Sequence, residues 1–461
     1  MSVSIRVNKY HRIPTFFDKC LHYYRFLITL IALFYRKIFK IPTFAPKSLM
    51  FKIFDFTLFH KQSESMYFRY PIVVNSLVDH EIIEKIMKNH RSDPDSIFKG
   101  NNGMIRFLEI IQCIYPESDI DQNDCILTCD EANTIDYHKF IKKYMSYDNI
   151  RNNEDIINQN IIKYFSDLDG QKLDLYDRIN KYVCDNFTSL FFGKIYTNED
   201  TSFSECCGKI NEYIFTNRMN KVIAMNAYTD NKEIADILLK FRVIIDQIID
   251  DNKKIFDDHN FTLNKRRAFV PILLFAGQET THVLITYTIF YLSKHCEEIR
   301  DAMCECNNDN IDDIVDKIFN YCICESTPAH GTARVLKENI IITANGSNRE
   351  YNKDSIIGPM PQHLAQKYDK IDDAKRYKNY LPFLYTKANA HSYDKVMPFG
   401  SGIHKCPGRQ LVQKETKLLI KYLLKNYIIE TDTNKIEFVQ YMTQKISNKF
   451  LSQFTKQYYT H

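Results

Sequence analysis

No tryptophan occurs in this chain, and glycine and proline are scarce, at 12 and 13 of 461 residues. No Gly/Ser-rich or Pro-rich linker and no internal repeat interrupts the sequence after about residue 45. That argues for one large domain over residues 46–461, where length alone suggests about three. A strong excess of either charge is missing too: 61 Lys and Arg stand against 57 Asp and Glu, for a net charge of +4. A nucleic-acid binder carries a basic stripe and a far higher pI, so that class is set aside. No glycine-rich phosphate loop marks a flavin or nicotinamide site. The missing tryptophan and the abundance of Ile, Asn, Lys, Asp and Tyr read as coding bias, so single Asn or Lys runs are not signals. Cysteine is not scarce, but an odd 13 spread along a long chain is no disulfide scaffold, and no secretory cleavage site is evident. Reduced thiols in a protein facing the cytosol are the expectation.

A full-length membrane run is also lacking. In residues 1–45 the uncharged apolar core, Phe26 to Tyr35, is ten residues long, where a span needs about twenty. The segment lengthens toward Leu21 if Arg25 snorkels, or it lies in the interface. Arg36, Lys37 and Lys40 follow, as on a cytoplasmic flank, and Pro42 and Pro46 then break the helix. Membrane association through this segment, with the main domain on the cytoplasmic side and the endoplasmic reticulum as one such membrane, is expected. A soluble cytoplasmic protein with an ordinary buried helix here is the alternative.

What is present is mostly helical periodicity, as in "NEYIFTNRMNKVIAMN" and "EIADILLKFRVIIDQIID". Strand-like stretches are few: "RYPIVVNSLV", "NIIITANGS" and the end of the chain. The expected fold class is mainly α with a small β portion.

Three of the scarce glycines crowd one cysteine in "MPFGSGIHKCPGRQL". A metal is bound by thiolate, not thiol. Glycines let backbone approach the sulfur and aim N–H groups at it, and such bonds tune a metal–thiolate bond. "GRQLVQKETKLLIKYLLKNY" then reads as a helix starting just after Cys406, whose N-terminal partial charge favours an anion on sulfur. Phe399, Gly402, His404, Cys406 and Gly408 form F-x-x-G-x-H-x-C-x-G, which resembles the haem-binding loop of cytochromes P-450. The resemblance implies Cys406 as axial ligand of haem b iron, Phe399 packed by the sulfur and His404 at a haem propionate. It also implies a cytochrome P-450 fold, with haem between a long central helix and the helix after the cysteine.

"LLFAGQETTHVLIT" supplies a second, separate likeness. It interrupts a run that is apolar from Ala268 to Leu292; a helix apolar all round is buried or spans a membrane, and the Gln-Glu-Thr-Thr-His insert argues against a span. Burying Glu279 in ionised form costs several kcal/mol unless something uses it. Ala276-Gly277-x-Glu279-Thr280 resembles the family's oxygen-activation motif. The resemblance implies that Ala276 and Gly277 let dioxygen and the haem face approach the backbone, that Thr280 holds a water against oxygen, and that Glu279 feeds protons.

Elsewhere the sequence departs from the family. Where E-x-x-R is expected, "CICESTPAHGTARVLKENIII" has Glu325, but Pro328 stands at the arginine position and would end the helix. Arg334, heading a strand, resembles the propionate-binding arginine. Arg334, Arg349 or Arg376 are candidate partners for Glu325. In "CILTCDEANTIDYHKFIKKYMSYDNI" the family's W-x-x-x-R becomes Thr134 and His138; His138 or Lys139 would bond a propionate, or His138 is an ordinary surface residue. Lys405, Arg409, Lys414, Lys417 and Lys421 cluster at or after the cysteine loop, either as a basic face for an acidic electron donor or as a solvated helix face.

The resemblance implies a monomeric haem-thiolate monooxygenase. It would insert one oxygen atom of O2 into a small apolar molecule, a lipid or sterol if the chain sits on a membrane, with electrons from a separate reductase. Two rivals are kept. One is a haem-binding sensor or scaffold without oxygen chemistry, which the missing arginine favours. The other is a zinc module built on His295, Cys296, Cys304, Cys306, Cys322 and Cys324, whose cysteine pairs have one intervening residue where zinc prefers two or more.

Overall fold

The computed structural model describes residues 4–7, 64–69, 72–77, 98–99, 105–129, 131–196, 205–210, 232–305, 311–326, 328, 334–344, 347–351, 353, 356–359, 397–431, 436, 438–440, 444–446 and 450–456. Its helices are α1 (Ile105–Ile114), α2 (Glu131–Met145), α3 (Tyr147–Asn152), α4 (Glu154–Phe165), α5 (Tyr176–Phe192), α6 (Lys232–Asp251), α7 (Lys253–Asp257), α8 (Leu263–Lys294), α9 (Cys296–Glu305), α10 (Ile311–Ser326) and α11 (Arg409–Asn426). The apolar segment Phe26–Tyr35 and the domain boundary at residue 45 lie outside the described residues, as does most of "NEYIFTNRMNKVIAMN".

Local chemistry sets several helix ends. The Thr262 hydroxyl accepts from the Lys265 N–H at 3.2 Å and starts α8. Ser146 caps α3 in the same way. Gly193 ends α5 in the left-handed region at φ 70, where a side chain would be strained. Between these ends, α8 carries the apolar run. Its most apolar window is 83% buried, so the one described helix long and apolar enough to cross a membrane is a core helix. Helices α1, α5, α6, α10 and α11 all pack on it.

The strands form small sheets at the margin of this helical body. Strands β1 (Ser4–Val7), β7 (Ile340–Ala344) and β8 (Ser347–Tyr351) pair antiparallel in the order β1-β7-β8. A five-stranded sheet runs β2 (Glu64–Arg69), β3 (Ile72–Leu77), β9 (Ile356–Pro359), β6 (Arg334–Leu336), β4 (Phe98–Lys99), with β3 and β9 parallel. Strand β10 (Tyr427–Thr431) continues directly from α11 and pairs with β13 (Leu451–Lys456), which pairs with β5 (Lys172–Asp174). A last hairpin joins β11 (Phe438–Gln440) to β12 (Gln444–Ile446). The expected fold class, mainly helical with a small β portion, is the fold observed. The strand-like stretches read from the sequence correspond to β3, to β7 and the first residue of β8, and to the paired strands near the end.

An aromatic wedge ties α2 to the core. The buried Phe140 ring lies 4.9 Å from Phe261, 5.4 Å from Phe269, 5.6 Å from Phe256 and 5.9 Å from Phe191. Helix α2 also packs on the 3-10 turn Gly402–His404 of the cysteine loop, so the wedge helps position that loop. Phe140→Ala is expected to destabilise the fold by about 3–5 kcal/mol, the range for emptying a buried aromatic site. A drop in the urea midpoint at unchanged m-value is the measurement that checks it.

Candidate active site at the cysteine loop

The loop before α11 is a chain of tight turns. Met397, Gly400 and Gly402 have φ of 50, 69 and 71, in the left-handed region that glycine enters without penalty. The Gly400 N–H donates to the Met397 carbonyl at 2.9 Å and the Lys405 N–H to the Gly402 carbonyl at 3.2 Å. The Cys406 N–H donates to the Phe399 carbonyl at 2.8 Å, folding the loop back so that phenyl and thiol belong to one hydrogen-bonded ring. The Arg409 guanidinium lies 5.7 Å from the Phe399 ring centroid, a cation–π contact. Helix α11 then begins at Arg409 with Gly408 as its N-cap, as read from the sequence.

Two opposed influences act on the Cys406 thiol. Burial raises its pKa and is the larger; the N–H groups of Gly408 and Arg409, and the charges of Arg409 and Lys405, lower it. Cys406 is nevertheless exposed by surface area, so the sulfur lies deep in protein but open on one side. A methyl on Gly408 would meet only that sulfur, at 3.9 Å. A deep thiol aimed along an open side, with N–H donors behind it, is chemistry suited to a cation that takes up the thiolate.

On α8, almost every residue from Ala268 to Leu292 is buried, but Ala276 is exposed and Gly277 and Thr280 are half-buried. These three, with i and i+4 on one face, open a polar notch in an apolar helix. The Thr280 hydroxyl donates to the Ala276 carbonyl at 2.7 Å, leaving its oxygen lone pairs to accept. Glu279 is 1% exposed. Gly277 is small for a reason the sequence did not show. A Cβ there would sit 2.6 Å from Cδ2 and Cε2 of Phe187 on α5, so any larger residue would have to displace that ring.

Other expected site residues are placed less closely. Arg334 heads β6, as expected, with its backbone paired to Ile357; its side chain, and those of Glu325 and Arg349, lie outside the described residues, as does Arg376. Helix α10 ends at Ser326, two residues before Pro328, as a proline at the arginine position requires. His138 is half-buried on α2; burial and then Lys142 lower its pKa, favouring the neutral imidazole. Lys139 is exposed and bonded to Asp136 at 3.3 Å. The thiol of Cys129 and the hydroxyl of buried Thr134 lie 3.3 Å apart. Among the described residues no three His, Cys, Asp or Glu are placed to hold a metal ion; Cys306 lies outside them.

The α11 lysines, read either as a basic face for a donor or as a solvated helix face, are largely ion-paired. Lys414 pairs with Glu154 at 2.6 Å, Lys417 with Asp316 at 2.7 Å and Lys421 with Asp312 at 2.7 Å. These ammonium groups link α11 to α4 and α10 and are neutralised there. An apparent run of cations along one sequence is read without the acids that other helices bring to it.

The most consequential polar residue missed in the sequence is Glu415. Leu411, Glu415, Leu419 and Leu423 form one i, i+4 stripe, buried at 3%, 2%, 2% and 1% exposure, so an acid inside an apolar stripe was the available signal. Asn186 of α5 donates from Nδ2 to Glu415 Oε2 at 3.3 Å, and Asn160 of α4 donates to Asn186 Oδ1 at 2.8 Å. Burial pushes the Glu415 carboxyl up to about 8, against a modest lowering by Asn186. Burial, and then the nearby Glu415, keep the Tyr182 hydroxyl protonated.

The mainly helical body and its cysteine loop before α11 have counterparts among solved structures. The structure superposes on the crystal structure of a cytochrome P450DA mutant haem domain with a TM-score of 0.64 and 14% identity, covering 87% of this chain and 92% of that one. It also superposes on a retinoic acid bound cyanobacterial CYP120A1 with a TM-score of 0.64 and 12% identity, covering 87% and 93%. The family model "Cytochrome P450" matches residues 114–308 and 362–452, more than half of the chain. The chain belongs to the cytochrome P450 family. Among curated relatives it is 25% identical to cytochrome P450 2C55 of Mus musculus over 207 residues, covering 41% of this chain and 40% of that protein. It is 46% identical to the cytochrome P450 monooxygenase gloP of Glarea lozoyensis over 44 residues, 10% of this chain and 8% of that protein. In these matches the chain spans two fifths or less of each relative's length. Family membership implies haem held by a cysteine thiolate, and the open-sided Cys406 sulfur backed by two N–H groups fits that group.

Glu415 makes stability pH-dependent in a defined direction. Its folded-state pKa, about 8, is raised above the unfolded 4.5, so the folded protein holds the extra proton between those values. Its stability contribution is whole below pH 4.5 and is lost progressively as pH rises toward about 8. Glu415→Gln is expected to flatten this part of the stability–pH profile, read from urea midpoints across that range; an unchanged slope would show that the carboxyl is already ionised.

Proposed function

We propose that the protein is a haem-thiolate monooxygenase. It inserts one oxygen atom of O2 into an apolar small molecule and reduces the other to water with two electrons and two protons. The observation that carries this reading is the Cys406 thiol, open on one side and backed by the N–H groups of Gly408 and Arg409 at the start of α11. When bound to a cysteine thiolate, haem supplies electron-rich iron that favours O–O cleavage.

The chain's own residues take the remaining roles. Cys406 is the ligand, with the sulfur anion held by backbone donors, and Phe399 shields it. His404, Arg334 and His138 are assigned to the haem propionates, His138 as a neutral N–H donor. Ala276 leaves room on the oxygen side of α8, while Gly277 admits Phe187 behind it. Thr280, whose hydroxyl is tethered to the Ala276 carbonyl, accepts a hydrogen bond from a water, and the buried Glu279 passes it a proton. Gly402 and Gly408 keep the loop backbone close to the sulfur.

A separate reductase supplies the electrons. With Lys414, Lys417 and Lys421 paired to acids of α4 and α10, the exposed Lys405 of the cysteine loop is assigned to meet it. The apolar run Phe26–Tyr35 with its basic flank supports membrane association with the domain on the cytoplasmic side, and with it a lipid or sterol as substrate. A monomer is proposed. The rival reading, a haem-binding protein without oxygen chemistry, rests on Pro328; relatives named as monooxygenases and the polar notch on α8 favour the enzyme.

A carbon monoxide difference spectrum of the reduced protein tests the central claim. The wild type is expected to give the thiolate-ligated band and Cys406→Ala to lose it; an unchanged band in the variant rules out the ligand assignment. Thr280→Ala is expected to keep haem and the band but to divert reducing equivalents to hydrogen peroxide several-fold more than wild type. Tight coupling in that variant would remove Thr280 from proton delivery.

A further inference from the structure

We propose that helix α5 is a spacer that fixes the gap between the thiolate helix α11 and the oxygen-side helix α8, through three consecutive residues, Asp185, Asn186 and Phe187. Successive residues on an α-helix project about 100° apart, so neighbours in sequence reach different neighbours in space. Asp185, fully buried, accepts from Lys163 Nζ at 2.8 Å and Tyr164 Oη at 2.5 Å, both on α4. Asn186, fully buried, bonds Glu415 on α11 at 3.3 Å and Asn160 on α4 at 2.8 Å. Phe187 fills the space that a Cβ on Gly277 of α8 would need.

The contacts to α11 and to α8 are each reinforced from one or two turns away on α5. Tyr182, four residues before Asn186, lies beside Glu415. Asn180, seven residues before Phe187, accepts a hydrogen bond from Gln278 of α8. So α5 holds α11 at one point, Glu415, and α8 at one point, the adjacent residues Gly277 and Gln278, which fixes their separation. Asn186 orients its amide by accepting from Asn160 while donating to Glu415, so the contact to α11 is set from α4 as well as from α5. The contact to α8 is steric, and well-packed interfaces do not deform continuously. Asn186 and Glu415 are positioning residues: they act on Cys406 through α11, whose first residue, Arg409, presents an N–H to the sulfur.

The inference rests on the haem-thiolate reading, and the experiment separates the two. In the reduced, haem-loaded protein, the carbon monoxide spectrum reports the ratio of thiolate-ligated to thiol-ligated species. Glu415→Gln, which mimics the neutral acid, is expected to keep the wild-type ratio. Glu415→Leu and Asn186→Leu are expected to lower it several-fold, and the double variant no further than either single one. A normal wild-type band with an unaltered ratio in Glu415→Leu, or additive losses in the double variant, overturns the spacer alone. Absence of the thiolate band in the wild type overturns the haem-thiolate reading itself. Should Leu at these buried sites prevent folding, the α8 side gives an independent measure. Gly277→Ala is expected to shift the reduction potential and raise peroxide leakage, and Phe187→Leu in the same chain to restore both. Failure of Phe187→Leu to restore either, or no effect of Gly277→Ala, overturns the spacer.

Discussion

Holding a sulfur anion inside protein is the constraint on which the proposed function turns. A buried thiol prefers its proton, and burial is the largest influence on Cys406. Only directed backbone N–H groups, a helix N-terminus and a cation on the open side favour the charged form. The loop meets the first two demands with left-handed turns at Met397, Gly400 and Gly402 and with the N–H groups of Gly408 and Arg409. The third defines the family.

The helical body serves that constraint by rigidity. Helix α8 is buried along most of its length yet breaks its apolar surface at Ala276, Gly277 and Thr280, and such a notch is useful only if the helix cannot rotate. The aromatic wedge around Phe140, which reaches α8 at Phe269, the Phe187–Gly277 contact and the Gln278–Asn180 bond each oppose rotation. Polar groups this deep are tolerable because they are hydrogen-bonded, and a bonded polar pair defines one register where an apolar pair would accept several. Glu415 is the extreme case, a carboxyl kept largely in its protonated form so that it can remain in the apolar face of α11.

What the sequence did not disclose was chiefly which neighbours its residues meet. The lysines of α11 looked like a basic face because Glu154, Asp312 and Asp316 arrive from α4 and α10. The contact between Gly277 and Phe187 is not legible in the sequence, because Phe187 belongs to another helix. Glu415 was passed over although its place between Leu411 and Leu419 was a periodicity anomaly on the page. The fold class, the helix after Cys406, the burial of the central apolar run and the helix stop before Pro328 were legible, since each follows from local spacing or backbone chemistry.

By itself the sequence determined the cysteine loop, its glycine turns, the helix that follows and the apolar helix with its polar insert, because those are written within ten to thirty consecutive residues or so and obey helix periodicity and backbone sterics. Only the tertiary structure decided which side chains meet across helices: Asn186 with Glu415, 229 residues away, and Phe187 with Gly277. Such contacts depend on which faces of separate helices are turned together. Packing selects those faces, and no local pattern records them.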